Sequence, residues 1–284
     1  AIRHEFNATA DAKDLEETYL PAFEALVKEA HVESVMGAYN RTNGEPCCGS
    51  EYLSSKLKEW GFDGYFVSDC WAIADFHMHH HVTATATESV ALALKNGCDL
   101  NCGNTYLHVY KAYEEGLVTE EEITNACVHL FRTRMRLGMF DKTEYDDLGY
   151  MDVETKEHLA VSRKAAETAC VLLKNDGILP LDRSKINTIG VIGPNAQNIG
   201  ALRGNYYGTA SRYETILMGI QDEFEGRVLF SEGAHIVNDK CEGLALPGDR
   251  IAEAKAVAAH SDVVILCLGL DEGLEGEEGD QSNE

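Results

Sequence analysis

The sequence predicts an α/β protein made of two successive sets of parallel strands. Three observations carry that expectation. Apolar segments alternate with amphipathic ones in the order strand, loop, helix, at intervals of roughly 30 residues. Several apolar segments are continuous rather than alternating, as in "DVVILCLGL" (262–270), the pattern of strands buried on both faces. Between the two sets, "DKTEYDDLGYMDVET" (141–155) is acidic, polar and without an apolar period, and reads as a linker.

The elements follow in order. Residues 13–30 place Leu15, Tyr19, Leu20, Phe23, Leu26 and Val27 at helical spacing. "VESVMGAYN" (32–40) is a strand, and "RTNGEP" after it a turn. A helix over 50–60 starts at Ser50, a good N-cap, and stops before Gly61. "GYFVSDC" (64–70) is the next strand, a helix over 87–96 ends at Gly97, and "CDLNCG" (98–103) is another short strand. "TEEE" (119–122) is a capping box, with Thr119 as cap and Glu122 reaching back, and opens a helix to about Arg136. In the second set, "EHLAVSRKAAETACVLLKN" (157–175) is a helix, "INTIGVIGPNA" (186–196) a strand with a Gly-Pro turn, and "RVLFSEG" (227–233) a strand. "GDRIAEAKAVAAHS" (248–261) is a helix capped by Asp249. The domains expected are therefore 1–140, a linker at 141–157, and 158–284. The first set has too few strands to close a parallel barrel of about 250 residues. The second stops just after a core strand. Both ends look cut, so the chain is expected to be an internal portion of a larger protein, with the rest of that protein as its first partner.

The chain has 284 residues, 48 acids against 24 lysines and arginines, and a formal charge of −24. Such a surface repels phosphate backbones and anionic lipid, so neither nucleic acid nor a membrane is expected as a partner. No uninterrupted apolar stretch is long enough to span a bilayer, and "AIRHEFNATA" has no secretory pattern. The nine cysteines include no CxxC pair, and several sit inside apolar runs. The expectation is a reduced, cytoplasmic protein. A homo-oligomer is compatible with this composition.

In parallel α/β folds, functional side chains gather at the carboxyl ends of strands. Asp69 ends one such strand. "GLDEGLEGEEGD" (269–280) follows another, with Asp271, Glu272, Glu275, Glu277, Glu278 and Asp280 on glycine-punctuated backbone. Glycoside hydrolysis needs two carboxylates acting on one bond, one ionised and one holding a proton. On position alone, a strand-end acid bound to backbone amides also explains Asp69, and a solvated acidic loop explains 269–280. The histidines of "HMHHH" (77–81) are too bunched to share one face, and read as a loop near the site with no metal. There is no GxGxxG or Walker pattern, so no nucleotide is expected.

The stretch "VMGAYNRTNGEPCCGSEYLSSKLKEWGFDGYFVSDCWAI" resembles the nucleophile region of glycoside hydrolase family 3, the β-glucosidases and β-xylosidases. "RTRMRLGMFD", "AETACVLLKNDGILPL", "VIGPNA", "GNYYGT" and "LGLDEGLEGEEGD" follow in that family's order. The resemblance implies the C-terminal part of a (β/α)8-type barrel linked to a partial (α/β)6 sandwich domain, and no cofactor. It implies a retaining, exo-acting β-glycosidase for terminal β-D-glucosyl or β-D-xylosyl residues of an oligosaccharide or β-glycoside. A non-catalytic carbohydrate-binding relative is the alternative. Asp69 corresponds to the nucleophile. The acid/base corresponds to Glu275 counting from Gly269, or to Glu277 counting back from Asp280. Tyr39 and Trp71 are expected at the sugar, with Arg3 and His4, since "RHEFNA" resembles the loop just after the family's Lys-His-Phe segment. Cys70, where many members have tryptophan, resembles the xylosidase-like branch.

Overall fold

The computed structural model describes residues 2–204, 206–236 and 248–275. The chain forms two compact units, Ala1–Asp147 and Leu148–Glu284.

In the first unit, β1 (Asn7–Ala8) precedes α1 (Ala12–Asp14), a π-helical turn over Leu15–Tyr19, and α2 (Pro21–Lys28). The single helix expected over 13–30 is thus three pieces, because Pro21 has no N–H and begins a new helix instead of continuing the old one. Strand β2 (Ser34–Gly37) is followed by β3 (Arg41–Thr42) and β4 (Glu45–Pro46). These last two form an antiparallel pair turned by Asn43 and Gly44, both at positive φ, with β1 parallel to β3.

Helix α3 (Glu51–Glu59) is capped by Ser50, whose Oγ accepts from Leu53 N at 3.1 Å, and the chain leaves through Gly61 at φ 78°. Strand β5 (Tyr65–Ser68), α4 (Asp75–Met78), α5 (Ala86–Lys95), β6 (Cys98–Leu100), α6 (Val109–Glu114) and α7 (Glu120–Arg136) complete the unit. Capping boxes open α5 at Thr85/Glu88 and α7 at Thr119/Glu122. Strands β2, β5 and β6 form a parallel sheet in that order, with Gly37 opposite Ser68. The core behind it comprises Cys48, Phe66, Ala72, Ile73, Phe76, Ala93 and Cys98. The "HMHHH" segment is part helix, since His77 falls within α4. There the buried Asp75 and Phe76 anchor a turn that the histidine run by itself does not suggest.

In the second unit, α8 (Lys156–Ala169) stops six residues before the expected end at Asn175. Val171, Leu172 and Leu173 are consecutive apolar residues, which cannot share one face of a helix, and the chain is extended from Cys170. Strand β7 (Thr188–Ile192), α9 (Ile199–Arg203), α10 (Ile216–Glu223), β8 (Arg227–Ser231), α11 (Asp249–Ala259), β9 (Val263–Leu266) and α12 (Glu272–Glu275) follow. The parallel sheet runs β8-β7-β9, with β7 buried throughout. The flanking residue of α11 is Gly248, not Asp249. The chain enters that helix at φ 87°, a conformation that favours glycine, so the boundary falls one residue earlier than expected.

Candidate active site

Asp69 follows the central strand of the first sheet. Its N–H donates to Gly37 O at 2.9 Å, extending the β2–β5 pairing by one bond and fixing where the carboxylate leaves the sheet. One carboxylate oxygen, Oδ1, accepts from Cys70 N at 2.7 Å, and the side chain is half-buried.

The turn that carries it is tied to the loop after β6 in four ways. The buried Ser68 Oγ accepts from Cys102 N at 3.0 Å and from Asn101 Nδ2 at 3.2 Å. Trp71 N donates to Cys102 O at 2.7 Å. Cys70 and Cys102 are joined by a disulfide. This corrects the expectation of uniformly reduced cysteines. Each cysteine lies just beyond the carboxyl end of one of two adjacent parallel strands, so a sequence separation of 32 closes to a Cα–Cα distance of 4.3 Å. The neighbouring Cys48 is different. Its hydrogen bond with Cys98, together with burial, holds the thiol protonated well above its ordinary range.

Trp71 sits at φ 71°, a left-handed conformation rare for a bulky residue, and its side chain is 53 % exposed. The bonds to Cys102 overdetermine the turn and make that conformation tolerable. Gly103 lies against the indole, and a Cβ there would come within 3.3 Å of Trp71 N.

Tyr39 packs against the core cluster that includes Ala72, Ile73 and Phe76, a few residues beyond Asp69. The guanidinium of Arg3 lies 5.2 Å from the Tyr39 ring centre, and the His4 ring meets it edge-on at 4.5 Å. Arg3, His4 and Tyr39 therefore form one group. What the sequence did not suggest is its anchor, the buried Asp75. Its Oδ2 lies 2.9 Å from His4 Nδ1 and its Oδ1 3.6 Å from His79 Nε2. His80, buried and stacked on Phe76, has its pKa pushed down chiefly by burial. Among the described residues, no group of three or more histidine, cysteine or acidic side chains is placed to hold a metal ion.

Glu275 is in the second unit, exposed, at the end of α12. Its N–H and that of Leu274 both donate to Asp271 O at 3.0 Å, so Asp271 starts the turn that carries it. Glu277 lies outside the described residues, as do Glu278 and Asp280. Of the functional candidates that sequence reasoning missed, Cys102 had a readable signal in its place after a strand. Asp75 had none, because its partner His4 is 71 residues away.

Models for the glycosyl hydrolase family 3 N-terminal and C-terminal domains match residues 4–133 and 170–284. Beta-D-xylosidase 1 of Arabidopsis thaliana is 38 % identical over 288 residues, covering 99 % of this chain and 36 % of the relative. Among solved structures, the GH3 exo-beta-xylosidase XlnD, in complex with a xylobiose aziridine activity-based probe, superposes with a TM-score of 0.82. It is 29 % identical, with 97 % of this chain and 36 % of the other covered. A beta-glucosidase from Listeria innocua in complex with glucose gives 0.75 at 26 % identity, covering 98 % and 38 %. The chain thus spans little more than a third of the length of the proteins it matches.

Proposed function

Because the chain belongs to glycosyl hydrolase family 3, we propose that its site serves a retaining, exo-acting β-glycosidase, with Asp69 as nucleophile and Glu275 as acid/base. Residues 1–140 then supply part of a catalytic barrel, 141–157 a linker, and 158–284 part of a sandwich domain. The carrying observation is the presentation of Asp69. A half-buried carboxylate stands at the carboxyl end of a central parallel strand, on a turn fixed by a disulfide and three hydrogen bonds.

In the first step, a carboxylate oxygen of Asp69 bonds to the anomeric carbon while the bond to the leaving oxygen breaks. The acid/base gives that oxygen its proton. In the second, water attacks the same carbon and loses a proton to the acid/base. The Asp69–carbon bond breaks, and the sugar leaves with its original anomeric configuration. The similarity to β-xylosidases favours a terminal β-D-xylosyl unit over a glucosyl one. Tyr39, Trp71, Arg3 and His4 are assigned to the sugar. No described helix is long and apolar enough to cross a membrane. The Cys70–Cys102 bridge favours an oxidising compartment over the cytoplasm.

Asp69→Ala in the complete gene product tests the reading. Turnover of aryl β-xylosides and β-glucosides should fall on the order of 10⁴-fold. Retained turnover would remove Asp69 from the mechanism.

A further inference from the structure

The motif "VIGPNA" (191–196) binds no nucleotide in the reading above, yet the structure gives it work. Strands β7 and β9 are neighbours, so the loop leaving β7 crosses the segment leaving β9. The crossing is close. Asn195 N donates to Cys267 O at 3.2 Å, and a side chain on Gly193 would run into the backbone of Cys267. A side chain on Gly269 would come within 2.9 Å of Asn195 Nδ2.

Two asparagines then hold the segment beyond. Asn195 Nδ2 donates to Leu270 O at 3.4 Å. Asn198 Nδ2 donates to Asp271 Oδ2 at 3.1 Å and also lies 3.2 Å from Asn195 Oδ1. Asn198 is itself fixed, because its Oδ1 accepts from Ala201 N at 3.2 Å as the cap of α9. The loop is braced from behind by Leu217 N, which donates to Ala196 O at 2.9 Å. Asp271 in turn accepts on its side chain from Gly273 N at 3.1 Å and on its carbonyl from Leu274 and Glu275.

We infer that Asn195 and Asn198 are positioning residues for general-acid catalysis: they fix the turn 270–275, from which the proton donor projects. The inference rests on the glycosidase reading and deepens it. It is drawn for Glu275, the last residue of the turn that Asp271 starts.

The test uses leaving groups. Loosening the donor should slow departure of a poor leaving group and spare one that departs as an anion. Asn198→Ala removes the bond to Asp271, and Asn195→Ala the one to Leu270. Asn198→Asp keeps the size and the cap acceptor but sets an oxygen against Asp271 Oδ2, which covers the case in which the alanine variant fails to fold. In the complete gene product, kcat/KM is compared for an alkyl β-xyloside and 2,4-dinitrophenyl β-xyloside. This constant reports the steps up to aglycone release. The expected loss is on the order of 10-fold or more on the alkyl glycoside and about 2-fold on the dinitrophenyl one. Equal losses on both, or none, would overturn the positioning role. No turnover of either glycoside by the wild-type gene product would remove the glycosidase reading itself, whereas retained turnover by Asp69→Ala would remove only the assignment of Asp69. An inactive Asp69→Ala combined with losses at Asn198 that ignore the leaving group removes only the role of the clamp.

Discussion

Asp99 shows how one buried acid can set a pH dependence. It accepts from Phe66 N at 2.9 Å and lies 2.9 Å from His129 Nδ1, tying β6 to β5 and α7. Burial nevertheless pushes its pKa above the ordinary carboxyl value, outweighing both partners. A carboxyl whose folded pKa exceeds its unfolded one stabilises the fold below the unfolded value, and that contribution is lost as pH rises through the folded value. Asp99→Asn keeps an acceptor for Phe66 and removes the titration. Relative to this variant, the wild type should lose unfolding free energy as pH rises from about 4, the ordinary aspartate value, through the raised folded one. Parallel curves in denaturant titrations across that range would contradict the assignment. His80 has the opposite sign, since its neutral form is the one the fold favours, and its contribution is lost on acidification.

Among the elements, β2 shows what the strand leading to Asp69 demands of its neighbour. A Cβ on Gly37 would stand 2.5 Å from Cys48 Sγ and 2.9 Å from Phe66 Cζ, both in the packed core. The same residue supplies the carbonyl that receives Asp69 N–H. Gly37→Ala should therefore cost about 1–3 kcal/mol in chemical unfolding and displace the Asp69 turn. An unchanged midpoint would show that β2 can shift freely. Local signals made much of this fold legible. Ser50, Thr119 and Glu122 cap the helices that their spacing predicts, and "GYFVSDC" holds the strand that leads to Asp69. The pairs that hold the site could not be read in this way. Asn198 meets Asp271 only because the sheet order is β8-β7-β9, and a separation of 73 positions in sequence says nothing about that order. The early end of α8 and the Gly248 entry to α11 are less legible, because composition and cap preference are weak guides to the residue at which a helix starts or stops.

For the whole molecule, the proposed retaining mechanism makes a geometric prediction. In a crystal structure of the complete gene product, the carboxyl groups of Asp69 and the acid/base should lie roughly 5–5.5 Å apart, and a separation near 9 Å would indicate inversion instead. The disulfide described above also changes how the chain is connected. It turns residues 70–102 into a covalent ring that encloses α4 and α5, with the exposed stretch 81–82 on its rim. A protease that nicks this rim opens the ring without dividing the polypeptide. The nicked protein should run as one band on a gel until a thiol is added, and as two bands afterwards. Two bands without the thiol would mean the bridge is absent. Until that reduction, the segment bearing Asp69 remains moored to the chain beyond the cut.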